Sequence, residues 1–201
     1  MISQHIQDKL KMFSDQKYKI TSPNESIRIK EKKADGRVDL QCVTQNCALV
    51  FDSPEKNVLP YLDEKKKGAR ACSDAFIFTQ DENENSFNLH LIEFKKTINT
   101  SVLDKAKWQL TMGFYNARAI AGFLGLKISD VYIYSGYRND EINDVDSATL
   151  IQLRASNNME AIQKINDWKT GKCKIYIDGK LRSFDQGKIK LDDKGCGSFY
   201  I

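Results

Sequence analysis

The chain predicts a fold of the α/β or α+β class, and three observations carry that expectation. Asp74 to Thr79 and Phe87 to Lys95 are rich in β-formers and flank a polar loop, Gln80-Asp81-Glu82-Asn83-Glu84-Asn85-Ser86, which reads as the tip of a long hairpin. From Leu103 to Leu124 the apolar residues Leu103, Ala106, Leu110, Phe114, Ala117, Ala121 and Leu124 recur every three or four positions, and Gly125 ends that helix. Val131 to Tyr134 then follows as a short apolar strand, so strand, strand, helix and strand succeed one another.

The elements before this stretch are shorter. Gln4 to Phe13 places Ile6, Leu10 and Phe13 on one side at helical spacing, which predicts a short amphipathic helix. Ser26 to Lys33 and Arg37 to Val43 flank an Ala34-Asp35-Gly36 turn, a hairpin pattern, and Ala48 to Phe51 is an apolar strand stopped by Asp52-Ser53-Pro54. Leu59 to Lys67 is ambiguous between a helical turn and the entry to a basic loop. After Gly136, Ser156 to Trp168 reads as a helix through Met159, Ile162, Ile165 and Trp168, and Lys174 to Phe184 as a hairpin about Asp178-Gly179. Lys188 to Ile201 supplies one or two edge strands. With no internal repeat and no linker, the expectation is a single domain over 1–201, with a core at about 47–135 and a peripheral C-terminal subregion at 136–201.

Composition narrows the function classes. A chain of 201 residues with 41% hydrophobic and 29% charged residues can bury a core without disulfides or structural metals, which excludes disordered and fibrous classes. No apolar run approaches the roughly 20 residues of a membrane span, and the first residues carry no secretory signal pattern, so the expected location is cytoplasmic, away from membranes. The five cysteines, Cys42, Cys47, Cys72, Cys173 and Cys196, are odd in number and scattered, which predicts reduced thiols. With His5 and His90 as the only histidines, no paired spacing for structural zinc arises. The net charge of +4 is modest, but Lys65, Lys66, Lys67 and Arg70 precede Asp74, and Lys95, Lys96, Lys105 and Lys107 follow Glu93 or include its neighbours. Such runs are either solvated faces or phosphate contacts.

Within Leu91-Ile92-Glu93-Phe94-Lys95, Glu93 and Lys95 are two apart, so in a strand both point to one face while Ile92 and Phe94 point to the other. Asp74 lies almost as far from the hairpin loop as Glu93, and simple register brings the two carboxylates and the ammonium together. Two carboxylates are hard oxygen ligands for magnesium, and an adjacent lysine can orient an attacking water, which suits phosphodiester hydrolysis. The bland reading of the same residues is a same-face pair on a solvated strand.

With Ser73-Asp74 and Glu93-Phe94-Lys95, followed by a helix and a strand, the chain resembles the PD-(D/E)xK superfamily of restriction-endonuclease-like nucleases over about Leu59 to Tyr134. Serine replaces the proline of the motif name, a position that is not a ligand. The resemblance implies a restriction-endonuclease-like core, with a central mixed sheet flanked by helices and extra C-terminal strands. It implies that Asp74 and Glu93 bind magnesium, or manganese in its place, with help from the Phe94 carbonyl, and that Lys95 is the catalytic residue. Some members carry a glutamine on the following helix, for which Gln109 is the candidate, and an acidic residue before the hairpin, for which Glu64 is the nearest. Lys65, Lys66, Lys67 and Arg70 are the candidate phosphate contacts. Tyr132, Tyr134 and Tyr137 near a strand end have core or rim packing as their ordinary role and base stacking as the alternative.

The expected function is a magnesium-dependent nuclease acting on DNA, with RNA as the less favoured substrate. Many nucleases of this kind act as homodimers, though no interface is legible here. The alternative is a non-catalytic member of the same scaffold that binds nucleic acid or a protein, as an immunity factor or inhibitor does. The settings open to the enzyme include restriction, phage defence, toxicity, repair and mobile-element processing.

Overall fold

The computed structural model describes residues 2–13, 17–33, 36–52, 62–63, 65–81 and 86–201. The expected turn at Ala34-Asp35, the tip of the long hairpin at 82–85, the start of the stretch from Leu59 to Lys67 and the candidate Glu64 lie outside the described residues.

The chain opens with helix α1 (Gln4–Leu10), whose Ile6 and Leu10 are buried. Strands β1 (Lys19–Thr21), β2 (Ser26–Lys33), β3 (Gly36–Val43) and β4 (Ala48–Asp52) follow. Then come β5 (Ala75–Gln80), β6 (Ser86–Ile98), helix α2 (Thr100–Leu124) and β7 (Lys127–Asp140). Helices α3 (Ser147–Ala155) and α4 (Met159–Lys169) precede β8 (Lys172–Ile177), β9 (Lys180–Lys190) and β10 (Cys196–Tyr200). Seven strands form one mixed sheet in the order β1-β4-β5-β6-β7-β9-β8, and three form a second in the order β10-β3-β2. The described residues therefore form an α+β fold with a large mixed sheet and four helices. Among the described residues, no helix is long and apolar enough to cross a membrane.

Two faces of the large sheet bury two different cores, as alternation along each strand requires. Phe76, Phe78, Phe87, Leu89 and Leu91 point to the helical face, against Leu110, Phe114, Ala117, Ala121 and Leu124 of α2 and Ile6 and Leu10 of α1. Ala75, Ile77, Ile92 and Phe94 point the other way, against Ile27, Ile29, Val38, Leu40 and Cys42 of the small sheet. The result is three layers: helices, large sheet, small sheet.

The central unit is β4-β5-β6-α2-β7. The antiparallel pair β5–β6 is in simple register, Ala75 opposite Ile92 and Gln80 opposite Phe87. β6 and β7 then run parallel, which needs the long crossover that α2 provides. Its start is capped by Asn99, whose side chain accepts from the Val102 N–H, and its end turns on Gly125 in the left-handed region at φ 79°.

Several elements exceed or escape the sequence pattern. β7 extends well beyond Val131 to Tyr134, because its main chain pairs with β6 from Ser86↔Lys127 to Ile98↔Asp140 while Lys127, Ser129 and Asp130 bury little side chain. The helical reading from Ser156 to Trp168 corresponds to α4 alone, started by the Asn158 side chain, and α3 precedes it outside that reading. α3 buries no residue and so left no periodic signal. The residues from 136 on, read as a peripheral subregion, supply β8 and β9 to the large sheet and β10 to the small one, where it lies parallel to β3. The hairpin about Asp178-Gly179 has both residues at positive φ, 51° and 71°, the conformation that a two-residue turn between twisted strands needs.

His90 illustrates how the small-sheet face tolerates a titratable group. Its Nε2 lies 2.8 Å from the Thr79 hydroxyl and its Nδ1 3.3 Å from the Tyr134 hydroxyl, with the Tyr132 ring stacked at 5.0 Å. Burial lowers its pKa from the ordinary 6.5 to about 4, so the folded state holds it neutral. The linked stability is fully present above pH 6.5 and is lost as the pH falls toward and through 4. A drop of roughly 2.5 units corresponds to about 3 kcal/mol at most. Urea midpoints should therefore decline from pH 7 to pH 4, and His90→Phe should flatten that decline by most of this amount.

Candidate active site

The site forms where β5 stops and β6 continues. The β5–β6 pairing ends at Ala75↔Ile92, and the same register carried one step further sets Asp74 opposite Glu93. Beyond that step β6 has lost its neighbour, so the main-chain groups of Phe94 on that side need other partners. The Phe94 N–H donates to Asp74 Oδ2 at 2.8 Å. The Phe94 carbonyl accepts from the Lys95 ammonium at 3.1 Å. Strand alternation sends the Phe94 ring to the opposite face, where it lies over Gly136.

Glu93 and Lys95 share the helical face, as a spacing of two in a strand requires. Glu93 is 1% exposed, and Lys95 Nζ hydrogen-bonds its Oε1 in a buried ion pair. The same ammonium reaches the Gln109 side-chain oxygen at 3.1 Å. Lys95 thus ties together Glu93, the Phe94 carbonyl and α2. Asp74, Glu93, Lys95 and Gln109, separated by up to 35 positions in sequence, are joined through the Phe94 main chain and the Lys95 ammonium.

The remaining candidates frame this cluster. Lys65, Lys66 and Lys67 are exposed on a turn that leads through the half-buried Arg70 to Asp74. That turn is fastened to α2 at two points. The Trp108 indole N–H donates to the Gly68 carbonyl at 2.8 Å. Ser73 packs on Gly113, where an added Cβ would stand 2.3 Å from its Oγ. Cys72 lies in the same stretch, and burial pushes its thiol up to about 11, so it stays protonated and is no nucleophile at neutral pH. On the far side of β6, Ser135 pairs with Glu93 in register and accepts from Gln186 of β9 at 2.8 Å. Of the three tyrosines, Tyr137 is buried against Trp168 and Tyr134 half-buried against Phe199, whereas Tyr132 is exposed. Tyr137 pairs with Lys95 in the β6–β7 register.

Gly113, Gly68, Trp108 and Ser135 were not singled out by sequence reasoning. Gly113 did carry a signal, since glycine inside a helix costs about 1 kcal/mol relative to alanine and marks a close approach.

As a ligand set the cluster offers oxygens: two carboxylates and a carbonyl. Among the described residues no group of three or more histidine, cysteine, aspartate and glutamate side chains gathers. Magnesium binds through one or two carboxylates and keeps several waters, so this donor set fits it. No family model, curated protein or solved structure matches the chain.

Proposed function

We propose that the chain is a metal-dependent nuclease of the restriction-endonuclease-like kind, hydrolysing phosphodiester bonds of DNA in preference to RNA. One observation carries this reading: the Lys95 ammonium is held by Glu93, the Phe94 carbonyl and Gln109, and the N–H of the same Phe94 donates to the Asp74 carboxylate. A solvated same-face pair would have no such buried acid and no such convergence. The order of elements agrees with the resemblance, since two antiparallel strands, a helix and a parallel strand bear the cluster.

In this reading Asp74 and Glu93 hold the ion, the Phe94 carbonyl assists, and Lys95 positions the attacking water. Gln109 orients the lysine and shares its charge. Magnesium bound there, or manganese in its place, supplies positive charge to the phosphate oxygens and acidifies a bound water. Lys95 has three donors, all taken by Glu93, the Phe94 carbonyl and Gln109, so it directs a water toward phosphorus by releasing Glu93 or the Phe94 carbonyl, the partners that a bound ion would claim. Lys65, Lys66, Lys67 and Arg70 attract the polyanionic strand and make binding sensitive to salt.

The test uses end-labelled single- and double-stranded DNA and RNA with magnesium, manganese or chelator. Cutting is expected with either metal and absent with chelator. Magnesium at ten times its dissociation constant should also raise the melting temperature by about 3 °C, an effect lost in Asp74→Ala. A binding module without catalysis predicts no cutting of any substrate and no difference between these two proteins in metal.

A further inference from the structure

Trp108 is 47% exposed, yet it stands one residue before Gln109 on the helix that closes the site. Its edge is fixed, because the indole N–H bonds the Gly68 carbonyl and the ring fills the space that a side chain at Gly68, itself at φ 80°, would occupy. A fastening role needs that edge alone. The open part of the ring faces water and is free to meet a ligand. Its surroundings say what kind of molecule fits. Lys65, Lys66 and Lys67 stand exposed on the turn it pins, and Lys105, one helical turn back, is exposed on α2. An aromatic face rimmed by ammonium groups suits a flat base on a polyanionic backbone, and suits a paired, stacked base poorly.

We infer that Trp108 is a stacking platform for an unpaired nucleobase next to the phosphate that the site receives, so that single-stranded or locally opened nucleic acid is the preferred substrate. This rests on the nuclease reading for the location of that phosphate. The turn from 65 to 70 follows the backbone of the strand, while Trp108 takes the base that points inward. Stacking of one base on an aromatic side chain corresponds to about 5- to 100-fold in affinity.

The chain has two tryptophans, and the other, Trp168, is 1% exposed, so a quencher in solution reports on Trp108. The experiment uses the full chain carrying Lys95→Ala, with magnesium, so that binding is read without cutting. The probes are a mixed-sequence single-stranded DNA of about 20 nucleotides and a blunt duplex of the same sequence. Single-stranded DNA should quench the exposed tryptophan emission and protect it from iodide. Trp108→Ala should weaken single-strand binding about 5- to 100-fold and duplex binding less than 2-fold, and Trp108→Phe, which keeps a ring but no N–H, should recover most of the loss. Equal losses on both probes, or a phenylalanine variant as weak as alanine, would show a fastening role and overturn the inference. Single-strand binding indifferent to Trp108 overturns it alone. Failure of the parent to bind either probe overturns the nuclease reading with it.

Discussion

Lys95→Ala should lower the cutting rate by about 1,000-fold or more in single-turnover assays while leaving a folded protein. On the proposed reading positioned acid–base groups contribute roughly 10²- to 10⁴-fold, and Lys95 also holds the Phe94 carbonyl and the Glu93 carboxylate, the groups that would hold the ion. The substitution has a second effect that separates chemistry from folding. Glu93 is buried, and removing a cation that faces it costs about 3–5 kcal/mol in metal-free buffer. Magnesium should restore part of that stability without restoring cutting. The double variant Glu93→Gln with Lys95→Met, which removes both charges, should be more stable than Lys95→Ala and equally inactive. Urea titration with and without magnesium, beside the cutting assay, gives both numbers; a Lys95→Ala protein that cuts at the parental rate would remove the lysine from the reaction.

Gly113→Ala should damage the site from a distance. The new methyl would lie 2.3 Å from Ser73 Oγ, 2.7 Å from its Cβ and 3.0 Å from its main-chain nitrogen. Rotation of a hydroxyl cannot relieve contacts with Cβ and backbone, so either α2 or the stretch leading to Asp74 must move. Alanine is the better helix former by about 1 kcal/mol, yet overpacking of this kind costs about 1–3 kcal/mol, and the net change should be destabilising. Displacement of Asp74 by about 1 Å from Phe94 and Glu93 is expected to cost about 100-fold in cutting. Gly122, in the same helix with nothing within 4 Å of an added Cβ, provides the control. Gly122→Ala should stabilise the protein by up to about 1 kcal/mol and leave cutting unchanged.

These two glycines mark where the sequence was legible and where it was not. Strands β5 and β6 were visible because both faces of each are buried, which leaves a dense run of β-formers, and α2 because one face is apolar over its whole length. The register of that hairpin followed from counting outward from its loop, and with it the meeting of Asp74 and Glu93. Gln109 followed from the resemblance, and its side-chain oxygen accepts from Lys95. The rest depends on interactions that single residues do not announce. β1 is three residues held by main-chain pairing to β4, and much of β7 is held the same way. The tail shows no motif that would send β10 to lie beside β3 rather than at the edge of the large sheet. Trp108 reads as one more apolar residue until its exposure and its bond to Gly68 are seen together.

The bond from the Phe94 N–H to Asp74 has one more consequence, for the cell that makes the protein. At that rung a side chain takes the role of the main-chain acceptor that β5 would otherwise provide, so the last closure of the strand pair and the delivery of the carboxylate are the same event. A nascent or frayed chain in which β5 and β6 have not zipped to their end leaves Asp74 away from Glu93 and Lys95. On the proposed reading, cutting would therefore wait for completion of the sheet.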